Sequence, residues 1–297
     1  VPETRIDPAK PNLAGPLTLS VIVPMYKEAA RIAETIRDLI DTLDHGAGVL
    51  TGQQSAEIIL VDDGSPDGTV RVVTPFLTEA RLGHLARVAL VRHPANRGKG
   101  AAVRTGLAAA RGEWRLMMDA DNAAKVDQVA RLWPHATRSS AMVCGSRNTA
   151  DARVRARAFR KLSGTLFRLA LSGLGLNLLR DTQCGFKLYR RDAAELIVAT
   201  GREDRFAFDL EHLLLAKRLG RLVEVGIAWE HKDGGTVNPV RDGLKMLHEA
   251  ARIRLRFLRD RVRPVQPSSQ IEPKPTVKES TVAMPTRDEP LSATLPR

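Results

Sequence analysis

Residues 111–127 read RGEWRLMMDADNAAKVD. The apolar run over 114–118 ends in Asp119-Ala120-Asp121, so two carboxylates stand at the carboxyl end of a segment suited to a buried strand. Open α/β sheets hold their ligands at that end of their strands. Alternation along an extended chain turns residues two apart to one side, so Asp119 and Asp121 are expected to address one point in space. Hard carboxylate oxygens so placed suit Mg²⁺ or Mn²⁺, which keeps water and substrate phosphates among its ligands. Aspartates also end strands merely because they make turns. The rest of the chain decides between these readings.

Residues 17–23 are continuously apolar and read as a strand that Pro24 stops. Tyr26-Lys27-Glu28 then opens a helical pattern carrying Ile32, Ile36, Leu39, Ile40 and Leu43. After a loop over 46–55, a second strand over 57–61 runs into Asp62-Asp63-Gly64-Ser65, and Pro66-Asp67-Gly68-Thr69 leads into another helix. A third strand is expected over 87–91, and the turn Asn96-Arg97-Gly98-Lys99-Gly100 precedes a small-residue helix over 101–110. Strand 114–118 follows, then a fifth over 141–144. Such alternation implies an α/β fold with a mainly parallel sheet flanked by helices on both faces.

The chain divides into an irregular leader over 1–16, an α/β half over 17–150, a second half over 151–263 and a tail over 264–297. In the second half, Arg153, Arg155, Arg157, Arg160, Lys161 and Arg168 interleave with Phe159, Leu162, Leu166 and Leu169. DTQCGFKLY follows at 181–189, then a helical pattern over 208–219 carrying Asp209 and Glu211, and a strand-like run over 222–229. Residues 241–263 predict a basic helix with Leu244, Leu247, Ala251, Leu255 and Leu258 as its apolar stripe. Both basic segments suit either an anionic bilayer or a core with a solvated basic side. The tail, with seven prolines among polar residues, is expected to be disordered.

Of 297 residues, 43% are hydrophobic and the formal net charge is +12, which points to an anionic partner. An aromatic content of 4% argues against the stacking platforms of single-stranded nucleic-acid binders. Cys144 and Cys184 are the only cysteines, which excludes a disulfide framework or a four-cysteine zinc site and fits a reducing cytoplasm. The histidines show no metal-ligand spacing. No stretch approaches the roughly 20 apolar residues of a membrane span, and the leader is not signal-like, so membrane contact is expected to be peripheral.

Four blocks, VIVPMYKEAARI, ILVDDGSPDGT, NRGKGAAVRTG and MMDADNA, in this order, resemble the inverting GT-A-fold glycosyltransferases of family 2, which use nucleotide-sugar donors. With DTQCGFKLY and RFAFDLEHLL, the chain is most similar to dolichyl-phosphate β-glucosyltransferases and polyprenyl-phosphate sugar transferases. The resemblance implies glucose transfer from UDP-glucose to a polyprenyl or dolichyl phosphate at the cytoplasmic face of a membrane. GDP-mannose as donor, a soluble hydroxyl acceptor, or a non-catalytic basic nucleic-acid-binding protein are the alternatives.

For individual residues, the resemblance implies that Pro24, Tyr26 and Glu28 meet the base and ribose, with Asp62 or Asp63 accepting from the nucleotide and the other ordering the turn. Asp63 is the first choice for the nucleotide. Lys99 is expected to reach the same site, although the full GxxxxGK[ST] phosphate loop is missing. Asp119, Ala120 and Asp121 are expected against the diphosphate, with the metal on Asp119 and Asp121. Gln183 is a candidate for a sugar hydroxyl. A phosphate acceptor needs positive charge rather than a base, which selects Arg147 and Arg160, with Lys187 and Lys232 behind them. Asp209 is the candidate base for a hydroxyl acceptor.

Overall fold

The structure, a computed structural model, describes residues 3–4, 17–77, 83–155, 173–232 and 239–260, with side chains of the last segment from His248 to Arg259. Arg160 with most of the basic row, the leader apart from Glu3–Thr4, and the tail all lie outside the described residues. In chain order the elements are β1 (Glu3–Thr4), β2 (Leu17–Met25), α1 (Ile32–Asp44), β3 (Ser55–Asp62), α2 (Thr69–Val73), β4 (Leu85–Arg92), α3 (Lys99–Ala109) and β5 (Trp114–Met118). They continue with α4 (Val129–Leu132), β6 (Ser140–Ser146), β7 (Arg153–Arg155), β8 (Phe186–Arg190), α5 (Arg191–Thr200), α6 (Phe208–Ala216), β9 (Arg221–Gly226), β10 (Ala228–Glu230) and α7 (Pro239–Asp260).

One eight-stranded sheet in the order β1-β4-β3-β2-β5-β8-β6-β9 runs through the molecule, and β10 pairs with β7 in a separate two-stranded sheet. Strands β4, β3, β2 and β5 are mutually parallel, as are β6 and β9. Strand β8 is antiparallel to both of its neighbours, and β1 to β4. The central strands are buried on both faces because helices cover both sides. Ile32, Ile36, Leu39 and Leu43 of α1 pack with Val21, Val23 and Leu116 in one core. Val103 and Leu107 of α3, Phe208 of α6 and Ile253 of α7 pack with Ile22, Val61 and Met117 in the other. The small residues of α3 allow close approach: a Cβ on Gly106 would collide with Ile22.

Several elements differ from expectation. Strand β2 runs through Pro24, which pairs with Val61, because pairing with β5 ends at Ile22 and no donor is missed on that side. The chain turns before helix α1, which starts at Ile32. The 222–229 run is two strands in two sheets. Among the described side chains of α7 the buried ones are Ala250, Ile253 and Phe257, while Leu255 and Leu258 are 55% and 41% exposed; those of Leu244 and Leu247 lie outside the described residues. Arg256 explains the rotation: it points inward to ion pairs with Glu203 and Glu211.

Charge is also buried beneath β3. Glu57, fully buried, accepts from Ser20 Oγ at 2.6 Å, Arg111 N at 2.7 Å and Arg87 Nε at 2.7 Å, tying three strands and the entry to β5 together. Removing the carboxylate strands the buried Arg87 cation. Glu57→Ala is therefore expected to cost about 3–5 kcal/mol and lower the melting temperature by roughly 10 °C. A loss below 1 kcal/mol in urea unfolding would contradict that role.

Candidate active site

The carboxyl ends of β2, β3 and β5 form one edge, and side-chain hydrogen bonds knit their loops. Ser65 Oγ accepts from Lys27 N at 3.0 Å and Thr69 Oγ1 from Glu28 N at 2.9 Å, joining the loop after β2 to the DGSPDGT turn. Asp67 closes that turn by accepting from Thr69 N at 3.0 Å. Asp62 accepts from Ser65 N at 3.2 Å and orders it from below.

Asp63 is almost fully buried and joins the next loop. It accepts from Arg97 N at 2.9 Å and Gly98 N at 2.8 Å, and its Oδ1 lies 2.7 Å from His93 Nδ1. Its carboxylate thus fixes the entry to α3, where Gly98 takes φ +107° and a Cβ would collide with Asp204 O. That entry delivers Lys99, whose Nζ donates to Asp119 Oδ1 at 2.5 Å.

Asp119 and Asp121 lie within electrostatic reach of each other. Burial, followed by the neighbouring Asp119 charge, pushes the Asp121 carboxyl above its ordinary value, although Ala123 N donates to it at 3.1 Å. Burial opposes protonation of Lys99, but the Asp119 and Asp209 charges raise its affinity for the proton. Arg31 is raised as well, first by its bond to Glu28 and then by the Glu28, Asp121 and Asp119 charges. Three details hold the Asp119-Ala120-Asp121 segment. Thr35 Oγ1 donates to Ala120 O at 2.8 Å, Asn122 turns the chain at φ +55°, and its amide donates to Asp38 at 3.0 Å.

A divalent cation fits the chemistry of this donor set, two hard carboxylates at one edge. Asp119 packs directly against Gly185, where a Cβ would collide with its carboxylate. Among the described residues no third His, Cys, Asp or Glu joins them.

The other expected residues are distributed around this centre. Pro24 is buried in β2, Tyr26 is 41% exposed, and Glu28 pairs with Arg31 through both carboxylate oxygens. Gln183 Nε2 is buried with no partner among the described residues. Arg147 donates to Asp181 through N, Nε and one terminal nitrogen, at 2.8–2.9 Å. Burial would raise the Asp181 carboxyl, but these bonds hold it below its ordinary value. Lys187, fully buried, donates to Asp209 Oδ1 at 2.5 Å and to Cys184 O at 2.6 Å. Burial raises the Asp209 carboxyl even against the Lys187 and Lys99 charges. Burial likewise pushes the Cys184 thiol up to about 12, so it is packed rather than reactive. Lys232, a weaker candidate, reaches Glu230 at 3.3 Å on the rim of a cleft.

That cleft, of 730 Å³, opens beside Asp121 and extends past Arg31 and Thr35 to Arg153, Val154 and Trp229. Sequence reasoning did not single out Arg31 or Trp229. The signal for Arg31 was its place three residues after Glu28; that for Trp229 was a large aromatic ending a strand in a chain poor in aromatics.

The Glycosyl transferase family 2 model matches residues 20–197. Over 248 residues the chain is 34% identical to the dolichyl-phosphate beta-glucosyltransferase of Dictyostelium discoideum, covering 81% of this chain and 75% of that protein. It is 33% identical over 252 residues to the human enzyme of that name, covering 81% and 76%. Among solved structures, glucosyl-3-phosphoglycerate synthase from Mycobacterium tuberculosis, in complex with Mn²⁺ and UDP-glucose, superposes with a TM-score of 0.54 at 21% identity, covering 82% of this chain and 79% of that one. That likeness concerns the fold. By sequence and by architecture, this chain belongs to glycosyl transferase family 2 and is a GT-A-fold glycosyltransferase.

Proposed function

We propose that the enzyme moves glucose from UDP-glucose to the phosphate of a polyprenyl or dolichyl chain, inverting the anomeric carbon to leave a β-linked lipid-phosphate sugar. The observation that carries this reading is the meeting of Asp119, Asp121, Lys99 and Arg31 at one sheet edge, in a chain one-third identical to dolichyl-phosphate beta-glucosyltransferases. Asp119 and Asp121 would hold the Mg²⁺ or Mn²⁺, which supplies Lewis-acid stabilisation of the departing diphosphate when bound.

The protein's own groups do the positioning. Tyr26, exposed with Lys27 Nζ 5.4 Å from its ring centroid, is the proposed partner of the base, beside the edge built by Pro24, Glu28, Asp62 and Asp63. Ala120 carries its neighbours against the diphosphate, and Gln183 Nε2 is a donor left over for a sugar hydroxyl. Lys99 supplies charge where two anions must approach each other. Arg147 retains one terminal nitrogen outside its Asp181 contacts, and Arg160 is proposed alongside it. Residues 17–150 chiefly serve the donor and 151–263 the acceptor.

A lipid phosphate arrives ionised and needs no base, which agrees with the engagement of Asp209 by Lys187. Peripheral contact with an anionic membrane surface, proposed to be its cytoplasmic face, has support in the exposed Leu255 and Leu258 beside Arg252 and Arg259 on α7, which bear on the contact and not on the face. Among the described residues no helix is long and apolar enough to cross a membrane.

Asp121→Ala is expected to lower glucose transfer into the organic phase by about 100-fold or more with Mn²⁺ present; near-normal turnover would end the metal assignment. A general base contributes roughly 10²–10⁴-fold, so Asp209→Asn separates the acceptor classes. Because it leaves Lys187 uncompensated, the variant should melt lower yet lose less than about tenfold in turnover per folded enzyme. A loss beyond about 100-fold with melting unchanged would favour a hydroxyl acceptor.

A further inference from the structure

His93 follows β4 and is fully buried, a polar ring in a place where a leucine would pack without needing partners. Both of its ring nitrogens are engaged. Nδ1 lies 2.7 Å from Asp63 Oδ1, and Nε2 lies 2.9 Å from the hydroxyl of Thr105 in the middle of α3. Asp63 also takes two backbone N–H groups, so it acts as an acceptor throughout and Nδ1 is the donor of that bond.

The ring ties three pieces of the chain together. The backbone N–H of His93 donates to Asp62 O at 2.8 Å, which keeps the residue at the end of β3. Through Asp63 it reaches Arg97 N and Gly98 N, and through Thr105 it reaches the body of the helix that Gly98 opens. The other flank of that helix start is closed as well. Ala101 N donates to Asp204 O at 3.1 Å, and a Cβ on Gly100 would collide with Glu203 O. Lys99 therefore leaves the backbone between two fixed flanks, and its Nζ donates to Asp119 Oδ1 at 2.5 Å.

Asp63 is the member of this chain of contacts that depends most on the ring. Its Oδ1 accepts from His93 and Arg97 N, whereas Oδ2 accepts from Gly98 N alone. An alkyl side chain in place of the imidazole leaves a buried carboxylate short of one donor and free to turn, and the loop it holds turns with it. That loop has little slack to absorb the change, because Gly64, at φ +69°, packs directly on the backbone of Ala95 and Asn96.

We propose that His93 is a positioning residue of the donor site: by orienting Asp63 it sets the start of α3, and so the place of the Lys99 ammonium beside Asp119. The inference rests on the reading of this sheet edge as the seat of a nucleotide sugar. His93 itself touches no reacting atom. Its contribution passes through Lys99 and disappears when the Lys99 charge is absent, whereas a packing role would persist.

Calorimetry of the full chain with UDP in the presence of Mn²⁺ tests this, with the melting temperature of every variant recorded alongside. His93→Leu is expected to weaken UDP binding about tenfold per folded molecule. His93→Asn, whose amide nitrogen falls near the place of Nδ1, should bring the affinity back to within about threefold of the unaltered chain. In a Lys99→Met background, His93→Leu should cost less than about twofold, because residues that act through one another are not additive. Equal losses from His93→Leu with and without Lys99 would overturn the link and leave His93 as packing. So would His93→Asn binding UDP as weakly as His93→Leu at the same melting temperature. If the unaltered chain binds no UDP, the donor reading fails first and this assignment with it.

Discussion

Two aspartates at the end of one buried strand repel each other, and much of the molecule serves to hold that unfavourable pair in place. Burial and the Asp119 charge raise the Asp121 carboxyl, while Lys99, Arg31 and the Ala123 N–H oppose the rise. Lys99 is available because Asp63 fixes the loop that starts α3, and Asp119 has room because Gly185 has no side chain. A site under this electrostatic tension gains most when a divalent cation and an anionic substrate arrive together.

The loop after Asp121 extends that constraint to the far side of the cleft. Its Ala123 carbonyl and Gln128 side chain carry β10, so the wall holding Trp229 is registered against the carboxylates by direct hydrogen bonds. One short segment thereby positions both the paired aspartates and Trp229. Transfer between two bound anions depends on separations of a few ångströms, and a link of this kind helps to hold them.

The first α/β half was legible in the sequence because its signals are local. Apolar runs ending in aspartates marked β3 and β5, and helical spacing marked α1 with its buried Ile32, Ile36, Leu39 and Leu43. What escaped was long-range. Strand β8, which enters the sheet antiparallel between β5 and β6, carries Lys187 in a fully buried position. That charge breaks an apolar pattern, and its ion-pair partner is Asp209, 22 residues away. Arg147 looked like a free phosphate grip because Asp181, 34 residues on, is not visible as its partner. The stripe of α7 was misplaced because Arg256 turns inward to Glu203 and Glu211, which no helical periodicity shows. The pairing of Val154 with Trp229 joins residues 75 positions apart through strands of three residues each.

The central claim is that Asp119 and Asp121 together hold a divalent cation on the donor diphosphate. Crystals grown with UDP-glucose and Mn²⁺, with diffraction recorded at the manganese absorption edge, test it most directly. The account predicts an anomalous peak within direct coordination distance of a carboxylate oxygen from each aspartate and of the diphosphate. Bound UDP-glucose with the manganese peak elsewhere, or with none at that edge of the sheet, would contradict it.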